Sequence, residues 1–462
     1  MPEHQLLLHP GARLRQAGDA VRLGPDRGGL QLDGPMLQLM PVLHALQGGL
    51  WPEALPELVK DPGLIPLLYF LLSRLEQAGL ICRCAVNGDT RLATLVPIAG
   101  KALPRVPPEP TAGRWRLSRF AYLRRDDEQL VLESPLSRGR LLLHSPAAGL
   151  LVLALGRPCN GVDLVGVSGL PPQPVDELLG LLAAGGFIDA EGAVESDAAK
   201  LWEFHDLLFH WRSRLGRSDQ AYGGIYAFEG QIAPLPALKP AGAGAVIALP
   251  SAMTAPAPTA EGLQALMARR HSVRVHGQVA IDLTQLGHFL WRAARHIETL
   301  PTEHGELAVR PYPAGGALHE LEIYLVVDRC TGLDHGLYHY RPGEHALQRM
   351  DDVKPATSGL LEQASATLSH AGRPQVLLVI TARFQRLQWK YRSVVYALVL
   401  KHVGVLYQSF YLIATDMGLA PCAIGGADSE LFAEASGLDP LVESSVGEFA
   451  LGSLEAAVDA TA

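Results

Sequence analysis

This chain has few cysteines, no excess of positive charge and no long apolar run free of polar residues, and each shortage removes a class of protein. Five cysteines in 462 residues, an odd number with Cys159, Cys330 and Cys422 far apart, exclude a disulfide-stapled secreted scaffold and point to a reduced, cytoplasmic chain. A formal net charge of −8 gives no general attraction to nucleic acid or anionic membrane, because neutralising phosphates takes clustered Lys and Arg. The longest apolar region, Val394 to Leu412, is interrupted by Lys401, His402 and Gln408, which suit a helix at an interface and not a membrane span. Met1 to Arg15 has only a short Leu run and is not a signal peptide.

Several chemical signatures are also missing. There is no His-Glu-x-x-His, no Gly-x-Ser-x-Gly elbow and no phosphate-binding P-loop. Cys82 and Cys84 have one residue between them and no second pair, so they read as small residues at a strand edge and not as zinc ligands. In His319-Glu320-Leu321-Glu322, strand alternation is expected to send His319 to the face opposite both carboxylates, and no metal is assigned. Gly242-Ala243-Gly244 lacks a third glycine and a following helix, so it is no dinucleotide turn.

What is present suffices for sizeable cores: 48% of residues are apolar, and the length allows roughly three domains at about 150 residues each. Leu75…Ala78-Gly79-Leu80-Ile81 aligns with Leu182…Gly185-Gly186-Phe187-Ile188 at a constant offset of 107 residues (75 to 182, 79 to 186), which indicates an internal duplication. In each copy a Leu-rich helix, Leu67 to Gln77 and Val175 to Ala184, ends at glycine and enters a short apolar strand. Helix, glycine, strand is the end of a winged helix, and the strands Gln129 to Leu132 and Arg140 to His144 supply a hairpin. The helices that would enter a DNA groove carry Arg74 and Glu76 in one copy and Asp176-Glu177 in the other, so DNA binding is not expected. The apolar positions 201, 204, 207, 208 and 211 follow helical spacing and predict a connecting helix from Leu201 to Arg217. Gly230 to Pro258, rich in Pro, Ala and Gly, reads as a linker or extended wrap.

From residue 261 helices and strands alternate: helices at Leu263 to Arg270 and Thr284 to Arg295, strands at Leu321 to Asp328 and Gln375 to Ala382, and a long helix from Ser393 to Met417. The fold class is therefore α+β. The expected division is a first winged-helix-like module over 1–110, a second over 111–200, a connection over 201–260 and an α+β domain over 261–462.

Three stretches suggest a flat, phosphorylated ligand. In Arg270-His271-Ser272-Val273-Arg274, two guanidiniums flanking a hydroxyl can hold a phosphate from several sides. Pro313-Ala314-Gly315-Gly316 and Ala423-Ile424-Gly425-Gly426 are small enough to let backbone approach a ring. Lys390-Tyr391, directly before the long helix, sets two proton carriers side by side. An ammonium beside a phenol favours the phenolate, and burial disfavours an ammonium, so either residue can be made a base. Adjacent residues on a helix point about 100° apart, so both reach one ring only from a helix start or a loop.

In order along residues 117 to 453, the Trp-Glu-Phe-His-Asp…His210-Trp211-Arg212-Ser213-Arg214 segment, the Arg-x-Ser-x-Arg motif, Pro-Ala-Gly-Gly-Ala-Leu-His, the turn Gly336-Leu337-Tyr338-His339-Tyr340 and the Lys-Tyr pair resemble the SagB-type dehydrogenases. These are azoline oxidases of the nitroreductase superfamily, which use FMN to convert thiazolines or oxazolines in ribosomal peptides to thiazoles or oxazoles. The resemblance implies a nitroreductase-like FMN domain at the C-terminus. It places Arg270, His271, Ser272 and Arg274 on the FMN phosphate and ribityl chain, Pro313, Ala314, Gly315 and Gly316 along the isoalloxazine, and Ala423, Ile424, Gly425 and Gly426 near its reactive edge. Lys390 and Tyr391 would be the catalytic pair, with Tyr391 the favoured base. A homodimer built on the long helix, an azoline-containing peptide substrate and a cyclodehydratase complex are implied in the same way. Ala314 stands where the family pattern has Ser, and Gly447 to Ala462 lacks the basic residue that many nitroreductases place near the C-terminus. An NAD(P)H-dependent nitro or quinone reductase and a flavin-free peptide-binding scaffold are the two alternatives.

Overall fold

The computed structural model describes the chain except residues 1–3, 18–19, 25–29, 99, 107–112, 201, 214–223, 252–261, 351–353, 370 and 456–462. The 214–217 end of the expected connecting helix and positions 252–258 of the Pro/Ala/Gly-rich stretch lie outside the described residues. The chain forms two units, Met1–Ala221 and Tyr222–Ala462. Residues 224–251, expected to connect domains, belong to the second unit, where Val246–Ala248 pairs with Ala346–Arg349 as an edge strand.

In the first unit the two related segments close in the same way. The Leu80 N–H donates to the Leu75 carbonyl and Gly79 to Glu76; 107 residues on, Phe187 donates to Leu182 and Gly186 to Ala183. Gly79 (φ +65°) and Gly186 (φ +67°) supply the left-handed residue that this helix ending requires. The helices Ile65–Gln77 and Pro172–Ala184 bury Leu75 and Leu182 completely. One six-stranded sheet spans both segments: the hairpin Ile81–Asn87/Thr90–Pro97 joins Gly139–Leu143, which pairs in turn with Gln129–Glu133. Cys82 and Cys84 lie inside this sheet, not at its edge, since Ile81–Asn87 is paired on both sides. Burial pushes the Cys82 thiol up to about 12. The connecting helix is shorter than its apolar spacing predicts, Phe204–Arg212, and Arg212 donates to the buried Glu133 carboxylate at 3.0 Å.

The second unit is a seven-stranded antiparallel sheet between two helical layers. Its strand order is Val246–Ala248, Ala346–Arg349, Gly336–Arg341, Leu321–Val327, Val376–Arg383, Glu443–Ser453, Leu419–Ile424. Period-two alternation decides which residues face which layer. Leu321, Ile323, Leu325 and Val327 join the core beneath Leu283–Ala294 and the long helix Val395–Asp416, while Tyr324 and Val326 join the opposite core with Pro355–Thr367 and Ser429–Ser436. Gly336 to Tyr340, expected as a turn, is a strand, because both its edges find partners.

By length and apolarity Val395–Asp416 is long enough to cross a membrane. Its apolar content has another explanation here: Val395, Val399, Val403, Leu406, Phe410 and Ala414 form a buried stripe against the sheet, while Tyr396 (47% exposed) and Leu400 (42%) face outward.

Candidate functional site

Strand Val376–Arg383 runs into a single helical turn, Gln385–Gln388, and the long helix does not begin until Val395. Lys390 and Tyr391 therefore sit in a non-helical corner, where their side chains are not forced apart by helical rotation. Tyr391 N–H donates to Leu387 O at 2.8 Å, and the Lys390 carbonyl accepts from Ile225 N–H at 2.9 Å. The Lys390 ammonium stands 5.4 Å from the centre of the Tyr391 ring and 6.0 Å from that of Tyr226.

The glycine stretch comes to this corner. Gly316 has φ +63°, and a Cβ built on it would lie 2.5 Å from Tyr391 Oη and 2.9 Å from Lys390 Nζ. Any side chain there would displace both groups, so the backbone approach depends on glycine. Ala317 (φ +55°) and His319 (φ +45°) also take left-handed conformations, a costly run for residues with a Cβ. Two anchors hold it. Arg386, 4% exposed, donates to Leu318 O from Nε at 3.0 Å and to Leu235 O from Nη1 at 2.6 Å. On the other side Gly315 N–H donates to His402 Nε2 at 2.7 Å, and His402 Nδ1 lies 2.7 Å from Glu320 Oε1. The first bond needs a lone pair on Nε2, so the ring proton belongs on Nδ1, facing the carboxylate.

Glu320 is fully buried, and its second oxygen has no partner, nor does Nδ1 of the adjacent His319. Burial, with Arg310 nearby, lowers His319 to about 3 and keeps it neutral. The expectation that both carboxylates share a face is corrected by the structure. Glu320 precedes the strand that starts at Leu321 and turns to His402, whereas Glu322, inside the strand, meets His339 at 3.2 Å and Arg383 at 3.3 Å. Burial opposes ionisation of Glu322, but the His339 hydrogen bond and the Arg310 and Arg383 charges outweigh it and hold the carboxyl near 2.

The basic cluster is brought to a second place on the long helix. Val273 N–H donates to Pro421 O at 2.8 Å, Ser272 Oγ and Tyr411 Oη are 2.7 Å apart, and Ala423 N–H donates to Tyr411 Oη at 2.8 Å. The Arg270 guanidinium lies 5.0 Å from the Tyr411 ring centre, while His271 is exposed and bonds back to Arg269 O. Residues 270–273 and 421–423 are thus neighbours, with Arg274 exposed beside them. Gly425 and Gly426 are exposed, and a Cβ built on either would meet nothing within 4 Å. Pro313 is exposed and Ala314 half-buried. His402 and Tyr411, which serve the two groups, are nine residues apart, about 13 Å along the helix axis.

His402, Arg386 and Tyr411 are not singled out by the motifs, and Glu320 enters them only as a rejected metal ligand. His402 carries a usable signal, since it falls on the apolar stripe of Val395, Val399, Val403 and Leu406, where a polar side chain needs a buried partner. The other three carry no local signal.

Residues 267–453 match the nitroreductase family model, and residues 115–219 match that of the cyanobactin oxidase ThcOx. Within the second unit, residues 267–453 thus form a nitroreductase-like domain, which supports an oxidoreductase. Over 163 residues the chain is 28% identical to a putative nitroreductase of Methanocaldococcus jannaschii, covering 35% of this chain and 78% of that one. It is 31% identical to the microcin B17-processing protein McbC of Escherichia coli over 135 residues, 28% of this chain and 49% of McbC. It is 28% identical to the trifolitoxin-processing protein TfxB of Rhizobium leguminosarum bv. trifolii over 148 residues, 31% of this chain and 40% of TfxB. The matches therefore span less than half the length of either peptide-processing relative. A chain in the E. coli microcin synthetase McbBCD complex with truncated pro-MccB17 bound superposes with TM-score 0.35 at 20% identity, covering 57% of this chain and 99% of that one.

Proposed function

We propose that this protein is an FMN-dependent dehydrogenase that oxidises thiazoline or oxazoline rings in a peptide precursor to thiazoles or oxazoles. The observation that carries this reading is the packing of Lys390 Nζ and Tyr391 Oη against Gly316, which brings two proton carriers together at the glycine stretch. The matches to ThcOx, McbC and TfxB support peptide maturation as the setting.

The residues present fit an FMN. Arg270 and Arg274 make no ion pair among the described residues, so both guanidiniums are available to a phosphate. The open space over Gly425 and Gly426 admits a ring edge that any Cβ would narrow. Ala314 and the lack of a C-terminal cation leave phosphate binding to residues 270–274. When bound, FMN supplies the acceptor for the hydride that leaves one carbon of the azoline, and dioxygen serves as the final oxidant.

The chain itself supplies the other half of the reaction. Aromatisation also releases a proton from the neighbouring ring carbon, and Tyr391 Oη is positioned as the base, with the Lys390 ammonium beside it to favour the phenolate or to orient the ring. Arg386 and His402 hold the glycine corner in place from opposite sides, so the pair does not have to be ordered when substrate arrives. The outward apolar residues Tyr396 and Leu400 support a homodimer built on the long helix, and a cyclodehydratase that makes the azoline is the expected further partner. All five cysteines are free, in keeping with a reducing cytoplasm.

The test is mass spectrometry of an azoline peptide before and after incubation, which should show loss of two hydrogens per ring. Lys390→Ala and Tyr391→Phe should keep the flavin and lose this oxidation; full activity in both variants would refute the assigned pair. Rapid bleaching of the flavin by NAD(P)H, with no change in the peptide, would support a nitro or quinone reductase.

A further inference from the structure

Beside Lys390 the second unit contains a preformed cavity of about 150 Å³. Its walls come from four places: the segment carrying Tyr226 and Leu235, the hairpin Glu298–Thr302/Gly305–Val309 with His304 at its tip, Leu318 after the glycine stretch, and the corner from Gln385 to Lys390. These walls are tied together. Trp389 Nε1–H donates to Ile232 O at 2.8 Å, Gln385 Nε2 to Ala233 O at 3.0 Å, and Ala237 N–H donates to Glu306 Oε2 at 2.9 Å. Tyr226 stacks on His304 with ring centres 4.0 Å apart and meets Trp389 edge-on at 5.3 Å. The cavity is therefore fixed before any ligand enters, and three rings border it.

We propose that this cavity is a specificity subsite that receives one planar side chain or ring of the peptide residue next to the reacting azoline. This inference rests on the azoline reading of the adjacent corner. Size argues first: a cavity of about 150 Å³ holds something near benzene, too little for a three-ring flavin. Position argues second. Lys390 borders the cavity and Tyr391 does not, so a ring held inside would not face the proposed base. The reacting ring belongs on the Gly316–Tyr391 side, and the cavity takes the group attached next to it, successive Cα atoms being about 3.8 Å apart. Chemistry argues third, because Tyr226 and Trp389 line the cavity together with Leu235, Leu307 and Leu318, a largely apolar wall that suits a flat apolar guest.

The experiment compares two azoline peptides that differ only in the adjacent residue, Phe or Ala, on the full-length flavin-loaded protein. Equilibrium binding by fluorescence anisotropy is measured alongside turnover. The wild type should favour Phe roughly tenfold in both Kd and kcat/KM, the gain lying in KM. Tyr226→Ala and the cavity-filling Thr302→Trp should both bring the ratio near one. Equal handling of the two peptides by the wild type, or a preference unchanged in both variants, overturns the subsite even if the azoline is oxidised normally. If neither peptide is oxidised, the functional reading fails, and the anisotropy ratio still decides the subsite.

Discussion

The amide of Gly315 donates to Nε2 of His402 across 2.7 Å, which ties the glycine corner to the middle of the long helix. Because His402 is 6% exposed and in turn engages Glu320, the contact is shielded from water and its loss cannot be replaced by solvent. His402→Leu should leave the Gly315 amide and the Glu320 carboxylate unpartnered and cost about 1–3 kcal/mol for each buried group so exposed. A thermal melt should show the loss. The flavin should remain bound while kcat falls, since residues 270–274 are untouched. A variant with wild-type melting and turnover would show that the corner stands without His402.

Gly316→Ala and Gly425→Ala form a contrasting pair. At Gly316 the added methyl must take φ +63° and meet Tyr391 Oη at 2.5 Å, so a backbone cost of roughly 1–2 kcal/mol is joined by displacement of the proton carriers. Activity should drop at least tenfold. At Gly425 nothing lies within 4 Å of the new methyl, and melting should be unchanged. If the flavin edge lies there as proposed, absorbance of the purified variant near 450 nm will report reduced flavin content; full content would move the flavin elsewhere.

Arg270→Ala and Arg274→Ala test the phosphate site. A hydrogen bond to a charged group contributes about 1.5–3 kcal/mol, so each variant should weaken FMN by roughly 10- to 100-fold. Riboflavin, which lacks the phosphate, is the control and should bind both variants as it binds the wild type. Equal weakening of both ligands would show general damage and not loss of a phosphate contact.

A pH prediction comes from Glu448, whose carboxyl burial raises to about 7, against a lowering by Ser445. The unfolded chain releases this proton near the ordinary carboxylate value of 4.5, before the folded chain does. The contribution of protonated Glu448 is therefore complete below about pH 4.5, declines as pH rises towards 7 and is flat above that. Relative to wild type, Glu448→Gln should gain stability between pH 5 and 7, up to a ceiling of roughly 3 kcal/mol by linkage. Denaturant midpoints at pH 5 and pH 8 check this; a constant difference between the two proteins would contradict it.

Local signals revealed those parts whose chemistry is local. The long helix was placed within two residues at its start, Ser393 against Val395, because its apolar stripe is periodic. The duplicated helix endings were visible because only glycine takes the left-handed position at residues 79 and 186. Gly336 to Tyr340 is a strand and not the expected turn, because glycine and tyrosine suit either and the choice belongs to the neighbours Leu321–Val327 and Ala346–Arg349. The assumed shared face of Glu320 and Glu322 failed since alternation applies only inside the strand, and Glu320 lies one residue outside it.

By itself the sequence determined the α+β class, the glycine corners, the Lys390–Tyr391 pair and the family frame around residues 267–453, because helical and strand periods, left-handed turns and motif order are properties of short stretches. Only tertiary structure decided that Gly316 lies against Lys390 and Tyr391, that Arg386 and His402 hold it there, and that Tyr411 joins Ser272 to Ala423. Those relationships link residues 12 to 139 apart by sheet pairing and helix docking, and no local preference encodes a distance of that kind.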